Sequence, residues 1–354
     1  FHKINNFFSK KIFIENNLKK ILIKNKLIIA DIGALGINEK NKFNSLINKD
    51  YTKIFKFDDL IDKKSLIDQN YDTILWSEEK KMNFFIRANK VSSSLFETND
   101  EILKEFKNYK DHDVIEKKIV KTKALSSIDE LVDIDLLKID AEGAELEILK
   151  GLNEKIDNVL TIELEMQFIE RYLGSPLFEK IHEFLKDNNF ELYLINQESW
   201  IKNDKKTNSQ SNHKIIWGDF VYFKKISKMD KIIKFRENYL PEKFIILLVF
   251  YKFYDEAYSA LNYFKKNNLI NISQKEYLEM FVKKNIQSNF TIIVNLFFQL
   301  LFSILVLILC SLTFKYKRQG ISYFKKTFKN FFYAVGDLTK LTNKDNNTIR
   351  DDKI

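Results

Sequence analysis

Residues 136–152 read LLKIDAEGAELEILKGL, and the stretch divides into halves of different period. Asp135-Leu136-Leu137-Lys138-Ile139-Asp140 is a short apolar run that ends on a carboxylate. From Glu142 onward Ala144, Leu146, Ile148, Leu149 and Leu152 recur at helical spacing, with Gly151 as a stop signal. A strand that passes through a tight acidic turn into a helix is the βα unit of an open α/β sheet. Ligands of such sheets sit at the carboxyl ends of the strands, where this pattern puts Asp140 and Glu142. Two carboxylates on one turn suit acid–base work or the orientation of a polar ligand. They equally suit a helix cap at Glu142 and a solvated strand end at Asp140, and spacing alone does not separate the two readings.

A similar unit lies upstream. Lys26-Leu27-Ile28-Ile29-Ala30-Asp31 is an apolar run ending on Asp, followed by Ile32-Gly33-Ala34-Leu35-Gly36. Glycines after a strand let the backbone approach a nucleotide closely, although a plain structural turn explains them as well. Ile54-Phe55-Lys56-Phe57-Asp58-Asp59 reads as a second strand with an acidic end, the place from which a carboxylate accepts ribose hydroxyls.

Lys138-Ile139-Asp140-Ala141-Glu142-Gly143-Ala144-Glu145 resembles the KIDVEGAE signature of the FkbM family of S-adenosylmethionine (SAM)-dependent methyltransferases, with Ala141 for Val. Asp31-Ile32-Gly33-Ala34 resembles the family's first glycine segment, Ser92-Ser93-Ser94-Leu95 its SSSL segment and Trp217-Gly218-Asp219 its last strand. The resemblance therefore runs from about Leu27 to Lys224. It departs at Ile37, where a second consecutive Gly is common, and at Asp59, where Pro is usual; Asp58 is the matching acid.

The resemblance implies a Rossmann-like class I methyltransferase fold, an α/β doubly wound and mostly parallel sheet that binds SAM. Asp31, Gly33, Gly36 and Asp58 are the implied cofactor contacts. Asp140 is the expected catalytic carboxylate, with Glu142 in support and Glu165 as a further candidate. The implied reaction is O-methylation of a hydroxyl on a small-molecule, glycan or lipid-linked acceptor. No ligand spacing calls for a metal. Two other functions stay open. An NAD-binding oxidoreductase would need a fuller Gly-x-Gly-x-x-Gly turn than Gly33 and Gly36 provide. A non-catalytic membrane adaptor with a decayed nucleotide site would explain the departures at Ile37 and Asp59.

Between the two motifs, Thr73–Ser77, Asn83–Ile86 and Val114–Thr122 read as strands. Val91–Asn99 reads as a polar loop over the site, or as a helix start capped by Ser94 or Thr98. Ser126–Leu131 has a capping pattern that opens a short helix. Val159–Glu165 is a strand with Glu163 and Glu165 on one face, and Pro176–Leu185 an amphipathic helix in which His182 carries no assigned chemistry. Phe190–Ile195 and Lys214–Phe223 fit an antiparallel pair.

The chain of 354 residues exceeds one such domain. We expect a helical flank over 1–25, the methyltransferase-like domain over 26–225, a helical extension over 226–285, a membrane helix over 286–314 and a basic tail over 315–354 with a disordered end. The tail carries ten Lys or Arg and four Asp, which leaves about +3 of the net +9 for the remainder. That balance argues against a nucleic-acid groove in the main domain. The single cysteine, Cys310, excludes an intramolecular disulfide framework and fits a reducing compartment. The chain begins at Phe1, which leaves room for a missing N-terminal piece, and its first 25 residues hold no signal-peptide pattern.

Phe290–Phe314 has no charged residue and exceeds the roughly 20 residues needed to cross a bilayer as a helix. It predicts a membrane protein, held through 290–314 and the basic tail, with its catalytic domain in the cytosol. The cations that follow the span favour a cytosolic tail, so crossing and re-entrant topologies both stay open. Oligomeric state is not legible.

Overall fold

Apolar runs that do not alternate suit parallel strands buried on both faces, and the motif strands are used in that way. The computed structural model describes residues 14, 16–33, 46, 50–58, 69–71, 73–107, 109–131, 133–203, 213–235, 239–286, 297, 301 and 304. Within them run α1 (Asn16–Lys24), β1 (Leu27–Ile32), β2 (Thr52–Phe57), β3 (Gln69–Tyr71), β4 (Ile74–Leu75) and β5 (Lys81–Arg87). Next come α2 (Asp100–Leu103), β6 (Val114–Lys123), β7 (Leu136–Ile139), α3 (Glu145–Lys150), β8 (Thr161–Gln167) and α4 (Phe178–Asp187). The series ends with β9 (Phe190–Trp200), β10 (Lys214–Lys224), α5 (Met229–Phe235), α6 (Leu240–Phe250), α7 (Tyr254–Lys266) and α8 (Ile272–Asn285).

The main sheet has seven strands in the order β3-β2-β1-β7-β8-β10-β9. Its first five are parallel; β10 runs antiparallel to both β8 and β9. A second sheet, β4-β6-β5, is inserted between β3 and β7. β1 and β7 are direct neighbours, with Asp31 opposite Lys138 and Ile32 opposite Ile139. That pairing brings the glycine motif and the acidic motif to one end of the sheet.

Strand parity divides the core. Leu27, Ile29, Leu136, Leu160 and Phe223 pack on one face with Leu18 and Leu22 of α1 and with apolar residues of α6, α7 and α8. Ala30, Ile32, Leu137, Ile139 and Ile162 pack on the other with α3, α4 and the inserted sheet. The helical extension is thus a layer of the sheet's own core. Leu240–Val249 of α6 are all buried, and Pro241 occupies the first turn, where its missing N–H leaves no bond unmade.

Two local expectations change. Ser126–Leu131 forms no α-helix, only a 3-10 turn at Leu125–Ser127. Neither Ser94 nor Thr98 caps a helix: Asn99 caps α2, its side chain accepting from the Ile102 N–H at 3.4 Å.

The expected fold included a transmembrane-type helix, and the expected localisation was the membrane. Both are corrected: no helix among the described residues is long and apolar enough to cross a membrane. Residues 286–314 lie outside the described residues except at 286, 297, 301 and 304, as does the whole tail 315–354. Length and apolarity predict a span only if the run forms one continuous helix, and no such helix is among those described. The chain divides into two units, 1–283 and 284–354, and all the elements of the two sheets belong to the first.

Candidate active site

Gly33 follows β1 and Asp140 follows β7, so the sheet topology alone sets them side by side. The Asp140 N–H donates to the Ile32 carbonyl at 3.0 Å, and the Gly33 N–H to the Phe57 carbonyl at 3.0 Å. Gly33 has φ +77°, and a Cβ there would stand 1.7 Å from the Asp140 carbonyl oxygen. Only glycine fits that contact. A cleft opens over this point. Among the described residues its polar wall is formed by Asp58, Thr73, Lys90, Ser93 and Asp140, and its apolar wall includes Ile32, Phe57, Phe84, Leu95 and Ile148.

Of the cofactor contacts expected from sequence, Gly33 and Asp58 line this cleft together with Asp140. Asp31 does not; it is 3 % exposed and lies 3.5 Å from the Lys138 ammonium. Burial pushes the Asp31 carboxyl up, and Lys138 pulls it only part of the way back. Lys138 also lies 3.5 Å from Asp140 Oδ2. Burial works against its charge, yet Asp31 and Asp140 more than offset that and hold its pKa above the ordinary lysine value. Gly36 and the departures at Ile37 and Asp59 fall outside the described residues.

The turn after β7 is held from three sides. Glu142 has φ +50°, a left-handed conformation that costs a non-glycine residue free energy and persists only where neighbours impose it. Its carbonyl accepts the Ser94 hydroxyl at 2.6 Å, and its Oε2 accepts the Tyr172 hydroxyl at 2.6 Å and Arg171 Nη2 at 3.2 Å. Glu142 does not cap α3, whose N-cap Ala144 has no side-chain bond; Glu145 instead braces the turn, its Oε1 accepting the N–H groups of Ala141 and Gly143 at 3.0 and 3.1 Å. Burial pushes the Glu145 carboxyl up to about 7 despite those bonds. Asp140 alone on the turn faces outward, with its side chain 41 % exposed.

Beneath the turn is a carboxylate cluster. One oxygen each of Asp140, Glu142 and Glu165 lie within 4.8 Å of one another, so the structure does bring the three expected catalytic acids together. Arg171 Nη2 bridges two of them, Glu142 and Glu165. Burial raises both carboxyls; their mutual repulsion adds to this at Glu165, and Arg171 opposes it at both. Such an arrangement favours one shared proton, since two buried carboxylates against a single guanidinium cannot both ionise at low cost. Three clustered acids also resemble a divalent-cation site; here Arg171 Nη2 contacts two of them. The neighbouring acid Glu163 accepts the Tyr251 hydroxyl at 2.7 Å. His112, packed on Tyr172 and Trp200, is lowered to about 4 by burial and by the positive charges of Arg171 and Arg87.

Sequence reasoning missed Arg171, Tyr172, Arg87 and Lys90. Arg87 is fully buried and donates to the carbonyls of Phe85, Ser92 and Phe96, which shapes the serine loop. Its guanidinium carbon lies 4.8 Å from the Tyr172 ring centre. The one available signal was the surplus of acids on the turn after β7 and on β8, which called for a cation nearby.

The sequence profile of the methyltransferase FkbM domain matches residues 9–192, more than half of the 354. The chain belongs to the FkbM methyltransferase family. Methyltransferases of this family typically use SAM. Among solved structures, the FkbM chain is similar to the precorrin-6y C5,15-methyltransferase of Geobacter metallireducens GS-15 at 14 % identity, over 61 % of this chain and 93 % of that one, with a TM-score of 0.24. A likeness of that size carries no argument. No curated protein matches the sequence.

Proposed function

We propose that this FkbM-family chain O-methylates a hydroxyl of a sugar, glycan or similar small acceptor, with SAM held in the cleft over Gly33. The carrying observation is that Gly33, Asp58 and the outward-facing Asp140 share one cleft with an apolar wall. The donor set fits the cofactor. Phe57, Phe84, Leu95 and Ile148 suit the faces of an adenine, Asp58 suits ribose hydroxyls, and the Gly33 contact brings the ends of β1 and β7 together under the cleft. Bound SAM supplies a methyl group on a sulfonium.

The chain's own part is positioning and proton transfer. Asp140, the exposed member of the acid cluster, takes the acceptor's hydroxyl proton on its carboxylate. Lys138 fixes that carboxylate from behind at 3.5 Å. Glu142 and Glu165 are engaged by Arg171 and act by holding the turn.

Two measurements test this. Titration calorimetry on the full chain should show binding of SAM and not of NAD; the reverse result would hand the cleft to an oxidoreductase. Release of S-adenosylhomocysteine against a panel of sugars and glycosides should then fall roughly 10²-fold or more in Asp140→Asn, measured at saturating SAM. A folded Asp140→Asn protein that keeps its rate would make Asp140 structural.

A further inference from the structure

Among the described residues, the charged groups on the cleft wall are two carboxylates, Asp58 and Asp140, and one ammonium, Lys90. Lys90 opens the 3-10 turn Lys90–Ser92. It is exposed, and no hydrogen bond or ion pair engages its ammonium among the described residues. Its backbone, in contrast, is firmly placed. The Ser92 carbonyl accepts Arg87 Nη1 at 3.0 Å, and the Ser92 and Ser93 N–H groups close back on Asn89 and Lys90 at 2.9 and 3.1 Å. Two residues on, the Ser94 hydroxyl reaches the Glu142 carbonyl at 2.6 Å. This anchor ties the lysine's turn to the turn that carries Asp140, and so to that end of the cleft. A rigid backbone presenting an unpartnered cation into a cleft is an arrangement suited to an anion.

We propose that Lys90 binds the carboxylate of the cofactor's methionine moiety. The inference rests on the reading of the cleft as a SAM site. SAM carries two cations, the sulfonium and the ammonium, and one carboxylate. Among the described residues of the cleft wall, Lys90 is the cation that complements this carboxylate. With Asp58 at the ribose end, Lys90 is the wall's group for the amino-acid end, its turn tied through Ser94 to the turn that carries Asp140. A solvated surface lysine is the alternative, and it predicts no ligand dependence.

The test separates the amino-acid end of the ligand from its nucleoside end and needs no acceptor. Affinities of the full-length chain are measured by calorimetry for SAM, S-adenosylhomocysteine and 5′-methylthioadenosine, which keeps the nucleoside but lacks the amino-acid carboxylate. Lys90→Ala should weaken SAM and S-adenosylhomocysteine about five- to tenfold, the scale of one partly exposed charge contact. It should leave 5′-methylthioadenosine unchanged. Lys90→Arg should keep both amino-acid ligands within about twofold of the parent, and added salt should narrow the gap between parent and Lys90→Ala. Equal losses for all three ligands, or no loss for any, would overturn the assignment while the SAM site stands. A parent chain that binds none of the three would overturn the SAM reading itself, and Lys90 with it.

Discussion

Arg171→Met should destabilise the chain by about 3–5 kcal/mol, the cost of removing one partner from a buried ion pair. The side chain of Arg171 is 3 % exposed and those of Glu142 and Glu165 are 10 and 8 % exposed, so water cannot replace the guanidinium. The loss should depend on pH in a defined direction. Burial already holds both carboxyls above the ordinary carboxylate range, against the pull of Arg171. Without that pull they rise further. An acid whose pKa is higher folded than unfolded contributes most to stability at low pH and loses that contribution as pH climbs through its folded value. The gap between parent and Arg171→Met should therefore be widest above neutrality and shrink as pH falls toward 5. Urea unfolding at several pH values reads both effects. A uniform loss at every pH, or one below 1 kcal/mol, would mean that the guanidinium does not hold these acids. Tyr172→Phe offers a milder control: it removes the 2.6 Å bond to Glu142 and keeps the ring, and should cost about 1–3 kcal/mol.

Lys243→Met should cost a similar 3–5 kcal/mol, for the same physical reason at the opposite end of the sheet. Lys243 of α6 lies 2.8 Å from Asp135 Oδ2, with side chains 5 and 0 % exposed. The same oxygen accepts the Ile28 N–H at 2.8 Å. One carboxylate thus joins the start of β7 to β1 and to the helical layer above them. Since Gly33 and Asp140 lie beyond the other ends of these strands, SAM affinity per folded molecule should not change. Pairing Lys243→Met with Asp135→Leu should recover much of the loss, because the uncompensated charge is then gone. A single variant as stable as the parent would show that this pair does not hold the layers together, and a folded one that binds SAM more weakly would show that this end of the sheet is coupled to the cleft.

Much of the architecture follows from local patterns in the sequence. Apolar runs ending on Asp31 and Asp140 specified strands, the helical repeat after Gly143 specified α3, and Gly33 specified a close backbone approach. These are properties of neighbouring residues, set by periods of two and 3.6, and so they are legible in one dimension. The acidic motif likewise pointed to the sheet end where the cleft lies.

Tertiary structure decided what depends on which face and which neighbour. Asp31 sits next in sequence to Ala30 and Ile32, yet strand parity turns it to the other face, against Lys138 and away from the cleft. Parity was readable; which face borders the cleft was not. Asp140 and Glu142 are equal as sequence, but one faces outward and the other is locked by Arg171, 29 residues away. Lys243 meets Asp135 across 108 residues, and the helical extension, which carried no signal of its place, covers one face of the sheet. An ion pair's worth is set by burial and by distances across loops, and neither leaves a periodic trace in the chain.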